Sequence, residues 1–170
     1  MEEPFWFRDE ITTTRNTLGR YTQTGTSGTW SHNSTSGWLE LNTTSNESKN
    51  LIVPQRVSNQ VVSVDLYPLS DTSIPSGGII LTTTPTPGAT YLSIPGSYAK
   101  VRFNQASSEV DLELYRNLAN LASVSNTTVT KSFSYGDKFT LTLSDDGTTV
   151  TATLYDSLGD RGGIVTWKQI

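Results

Sequence analysis

The sequence predicts an all-β protein: a jelly-roll β-sandwich of two antiparallel sheets, with about a dozen short strands and at most one short helical turn. Three observations carry that prediction. Apolar and polar residues alternate with a period of two in several runs, most clearly over 98–104 and 109–116, and that period marks a strand with one face buried. Apolar content (34%) and charged content (16%) are both low, and the Ser, Thr, Asn and Gly that replace them suit strands and turns better than helices. Turn formers recur at short intervals, so no helical period runs for long.

The elements follow in order. Residues 5–11 read as a first strand, with Phe5, Phe7, Asp9 and Ile11 on one side. Residues 18–23 are short and weakly patterned, and 24–28 are turn-forming. A strand opens at 29–31, a turn covers 33–37, and 38–42 alternates with Leu39 and Leu41 inward and Trp38 and Glu40 outward. A polar loop over 43–50 leads to the apolar run 51–53, closed by Pro54. Residues 60–67 place Val62, Val64 and Leu66 on one side. A loop over 68–78 precedes a strand at 79–81, and a Pro-rich break precedes another at 89–94. Next come the two alternating runs, joined by the polar residues 105–108, which read as an antiparallel hairpin. Residues 117–126 are the one place where a helical turn fits, through the spacing of Leu118 and Leu121. Strands at 129–133 and 138–143 follow. Asp146-Gly147 then supplies the positive-φ chemistry of a tight turn into 149–155, and 164–170 closes the chain.

Composition narrows the function classes. The length of 170 residues leads to the expectation of one domain, 1–170, large enough for a single substantial core. A formal charge of −4 without a basic cluster argues against nucleic acid or an anionic membrane as partner. Without cysteine there is no disulfide or thiolate chemistry, and His32 is the only histidine, read as a solvated turn residue. No apolar run approaches the ~18 residues of a membrane span, and the first residues lack the basic and apolar regions of a signal peptide. The expectation is a part of a larger protein or assembly, or one that reaches its site without classical secretion. The sequons at Asn33, Asn42, Asn46 and Asn126 match chance in a chain this rich in Asn, Ser and Thr.

Alternation sorts the candidate site residues. Tyr98, Lys100, Arg102 and Asn104 share one face of the first run. Glu109, Asp111, Glu113 and Tyr115 share one face of the second. That face is either a solvated surface of cross-strand ion pairs or the floor of a site. Sugar rings stack on aromatic faces, while carboxylates, amides and guanidinium groups fix their hydroxyls. The candidate ligand-binding residues are therefore Trp38, Tyr91, Tyr98, Arg102, Asp111, Glu113 and Tyr115. No catalytic or metal-ligating residue is assigned and no cofactor is required. Asp145-Asp146-Gly147 and the segment 156–160 carry oxygen ligands suited to Ca2+, and turn chemistry explains them equally well.

Phe5-Trp6-Phe7-Arg8-Asp9, then Gly28-Thr29-Trp30 and Gly37-Trp38-Leu39-Glu40-Leu41, resemble the opening of concanavalin A-like lectin and glucanase domains, laminin G-like modules included. Residues 135–154 resemble their penultimate hairpin. The resemblance spans nearly the whole chain and implies a curved sandwich that often binds glycans, with Trp30, Leu39 and Leu41 at core positions. In the same superfamily, retaining β-glucanases place a Glu-x-Asp-x-Glu strand as nucleophile, helper and acid/base, and Glu109, Asp111 and Glu113 have that form. The expectation is a non-catalytic carbohydrate-binding module of lectin type. By composition it is similar to an adhesion domain of a phage tail or baseplate, at the virion surface or outside the cell. The alternatives are a structural or protein-interaction domain without ligand, and a small retaining glucanase using Glu109 and Glu113.

Overall fold

The computed structural model describes residues 11–25, 29–42, 49–52, 60–68, 76–81, 96–104, 109–118, 121–130, 133–159 and 161–168. The chain divides into two compact units, one of Met1–Gln55 with Pro85–Thr90, the other of Arg56–Thr84 with Tyr91–Ile170. The expected strands at 5–11 and 89–94 lie outside the described residues, Ile11 excepted, and so does Tyr91.

In the first unit a 3-10 turn at Leu18–Arg20 precedes strands β1 (Thr22–Gly25), β2 (Thr29–Asn33), β3 (Trp38–Asn42) and β4 (Lys49–Ile52). β1 pairs with β4, and β2 with β3, both antiparallel. The turn between β2 and β3 forms because Asn33 Oδ1 accepts from the backbone N–H groups of Thr35 and Ser36 at 2.8 and 3.0 Å. Gly37 closes it with a φ of 76°, a value that disfavours side chains. A Cβ there would also press on the Thr13 nitrogen at 2.8 Å. Trp30, Leu39 and Leu41, expected in the core, are only half-buried. A two-stranded hairpin offers too little surface to enclose either of its faces.

The second unit is the sandwich. Its strands are β5 (Gln60–Leu66), β6 (Ser76–Leu81), β7 (Gly96–Asn104), β8 (Glu109–Leu118), β9 (Leu121–Thr130), β10 (Phe139–Asp145), β11 (Thr149–Tyr155) and β12 (Arg161–Lys168). They form two antiparallel sheets, ordered β12-β11-β10-β5 and β6-β7-β8-β9. The chain changes sheet between β5 and β6 and between β9 and β10, and otherwise advances by hairpins, a plainer path than a jelly roll's repeated crossing. The inner faces meet in one core: Ala99, Val101 and Phe103 of β7, and Val110, Leu112 and Leu114 of β8. Opposite them lie Phe139, Leu141 and Leu143 of β10 and Val150, Ala152 and Leu154 of β11, with Ile79 of β6 completing the set. Burying each large side chain of this kind contributes roughly 1.5–3 kcal/mol. Phe103, Phe133 and Phe139 cluster at one end of the core, with ring centroids 5.0 to 6.3 Å apart.

Residues 117–126 correct the sequence reading. The described residues of this segment form no helical turn, because β8 runs on to Leu118 and β9 opens at Leu121. Ser, Thr, Asn and Val have weak helix propensity, and a ten-residue ladder against β8 supplies the pairing that two leucines cannot. Among the described residues, a 3-10 turn falls instead at Leu18–Arg20. The loop expected over 68–78 also ends early, since Ser76, Gly77 and Gly78 already belong to β6.

Candidate functional site

β7 is buried on every second residue, so Tyr98, Lys100, Arg102 and Asn104 stand on the outer face above the core. The register with β8 sets Tyr98 against Tyr115, Lys100 against Glu113, Arg102 against Asp111 and Asn104 against Glu109. Side chains opposed in this way have Cβ atoms about 4.5–5.5 Å apart. The two alternating runs therefore build one continuous face, as their pattern predicts. For Tyr115 the position is given by the backbone of β8 alone.

Glu113 departs from the pattern. It is only 7% exposed although it belongs to the outer face. β8 has a neighbour on each side, and a carboxylate sunk between strands needs a compensating donor. Arg102 supplies it from the diagonal position, its Nη1 donating to Glu113 Oε1 at 3.3 Å. Glu113 thus lies between Arg102 on the diagonal and the position of Lys100 directly across.

Gly78 of β6 pairs with Lys100 and is exposed. Between Ile80, opposite Tyr98, and Ser76, opposite Arg102, the face therefore drops to bare backbone. Sequence reasoning missed this step, since Gly77-Gly78 looks like loop. Carrying the period of two back from Ile80 would have found it.

Trp38 does not join this face. It lies on β3, in a different sheet and a different unit from Tyr98. Its Nε1 donates to Glu40 Oε1 at 2.8 Å, and Asn33 Nδ2 donates to the same oxygen at 2.5 Å. Of the candidate aromatics, Tyr98 and Tyr115 are thus paired across β7 and β8, and Trp38 belongs to another sheet. The bond to Glu40 holds the Asn33 amide nitrogen, the acceptor group of that sequon. His32, expected in a solvated turn, lies in β2 instead, half-buried, and its Nε2–H donates to the Thr12 carbonyl at 2.7 Å.

Of the aspartates considered for Ca2+, Asp145, Asp146 and Asp156 serve turns, and Asp160 lies outside the described residues. Asp145 Oδ1 accepts from the Gly147 N–H at 2.9 Å, and its Oδ2 accepts from the Ser97 hydroxyl at 2.9 Å, joining the two sheets. Asp146 Oδ1 accepts from the N–H groups of Thr148 and Thr149, and these bonds hold its pKa below the usual aspartate value. Asp156 Oδ1 accepts from the Leu158 N–H at 2.9 Å. The outer face of the other sheet is lined with hydroxyls. There Ser63 bonds Thr142 at 2.8 Å, and Thr140 donates to Asp65 at 2.7 Å. Tyr98, Arg102, Asp111, Glu113 and Tyr115 belong to the other sheet of the sandwich.

The family models searched give no match to this chain, and no curated protein or solved structure matches it.

Proposed function

We propose that the chain is a non-catalytic carbohydrate-binding module whose ligand lies along the outer face of β7 and β8. The observation that carries this reading is the register that puts Tyr98 opposite Tyr115, one step along from the buried Glu113 and its partner Arg102. Two tyrosines give a sugar ring an apolar platform, and the neighbouring carboxylates, guanidinium and Asn104 give directional partners for its hydroxyls. Tyr98, Arg102, Asp111, Glu113 and Tyr115 form the site, and Trp38 is left out of it. Display on a surface-facing assembly such as a phage tail, where such a module would meet a host glycan, is part of the same proposal.

The regular ladder of β8 supports the non-catalytic reading. β8 pairs residue for residue with β7 and with β9 over Glu109–Asn117, with no bulge. Glu109 and Glu113 are then about 13 Å apart along the strand, whereas a retaining pair needs about 5–5.5 Å. A structural sandwich without ligand is the competing reading, favoured by the internal pairing of Arg102 with Glu113. A glycan array separates the two. The folded protein should bind a defined subset of glycans, and Tyr98→Ala should weaken that binding by about tenfold or more, as loss of one stacking contact would. A folded protein that binds no glycan, or a Tyr98→Ala variant that binds as well as the parent, overturns the proposal.

A further inference from the structure

We infer that the ligand of the β7–β8 face is an uncharged glycan, and that the face selects against sugars bearing carboxylate or sulfate groups. The inference rests on the carbohydrate-binding reading above and deepens it. Lys100 and Arg102 are the cations of these face positions, and each is set in register against a carboxylate, Glu113 and Asp111 respectively. Arg102 is further engaged on the diagonal by Glu113 at 3.3 Å. Glu109 adds a third carboxylate, across from Asn104. The flanking strands β6 and β9 contribute no ionisable side chain at all. The face thus carries three carboxylates against two cations, within a chain whose formal charge is −4.

An acidic sugar laid along this face would have to take Arg102 away from a buried carboxylate and then sit within a few ångströms of Asp111. Both steps oppose binding, the first by taking a close cationic partner from a sunk charge and the second by like-charge repulsion. A neutral sugar meets no such opposition. Its hydroxyls donate to Asp111 and Glu109 and accept from Lys100 and Asn104, while its ring rests on the tyrosine pair. Gly78, which puts exposed backbone beside Lys100, lets a ring approach the sheet closely there.

The test is an array that pairs neutral glycans with sialylated, uronate-bearing or sulfated versions of the same cores. The best binder is then titrated by calorimetry between about 50 and 500 mM NaCl, a range over which screening lengths shrink severalfold. The expected result is binding to neutral members, a loss of about tenfold or more on adding the acidic group, and little change with salt. In Asp111→Asn the acidic member should recover part of that loss. A requirement for the acidic group, with affinity falling as salt rises, overturns this inference and leaves the carbohydrate-binding reading in place. Absence of binding to every member, with the fold verified by circular dichroism, removes both.

Discussion

Glu113 is the outward residue of β8 that alternation alone would leave in water, and its burial gives Arg102 a stabilising role beside the binding role proposed for it. Arg102→Met keeps most of the side-chain bulk but takes its ion-pair partner from the buried carboxylate, which should cost about 1–3 kcal/mol in urea unfolding. In Arg102→Met/Glu113→Gln the combined loss should fall short of the two single losses added together, because the same interaction is removed twice. That these charged residues share the outer face was legible in the sequence, which left open whether they form cross-strand pairs or the floor of a site. The diagonal partner was not, because alternation fixes faces and register, whereas rotamers decide which neighbour a guanidinium reaches. Tyr67 gives a pH prediction. Partial burial, then the nearby Asp65 carboxylate, raise its pKa above the usual 10.0, with Lys138 opposing. The fold therefore favours the neutral phenol. Its contribution is intact below pH 10.0 and is lost as pH climbs toward the raised folded-state value. Tyr67→Phe, melted across this alkaline range, should lose less stability than the parent.

The strands β7 and β8 were legible almost residue by residue, because a strand covered on one face must alternate and theirs alternate without exception until Glu113. β9 was not. Its polar and β-branched residues carry no clear period of two, and their conformation is set by pairing with β8, which no local pattern encodes. The start of β6 was hidden for a related reason. Gly77 and Gly78 are the residues of a loop, yet here they allow close approach: a Cβ at Gly78 would run into the Ala99 carbonyl oxygen, and one at Gly77 would sit 2.9 Å from Leu66 Cδ2. Gly78→Ala should push β6 away from β7 and cost about 1–3 kcal/mol in chemical denaturation. Gly19→Ala is the matched control. A Cβ at Gly19 meets nothing within 4 Å, so its effect should stay within about 0.5 kcal/mol.

Across the whole molecule, the all-β class and the paired sheets follow from composition and alternation together, since a low-charge, Thr-rich chain with frequent turns has few other ways to bury its apolar face. The order of strands and the division into two units were not legible, for they depend on which edges meet. Leu112 and Leu141 hold the centre from opposite sheets and are both fully buried. Leu112→Ala and Leu141→Ala should each cost about 2–5 kcal/mol by calorimetric unfolding, because each empties the one space that both sheets share. A small effect at both would show that the sheets do not share that core. The path of the chain also has a bearing on biosynthesis. β5 has β10 as its ladder partner, yet it leaves the ribosome with four further strands still to be made before β10 exists. Throughout that wait Val61 and Val62 have no ladder to shelter them, and even in the finished protein Val61 is 69% exposed. Nascent chains arrested between β5 and β10 should therefore be the form most prone to clump or to recruit a chaperone.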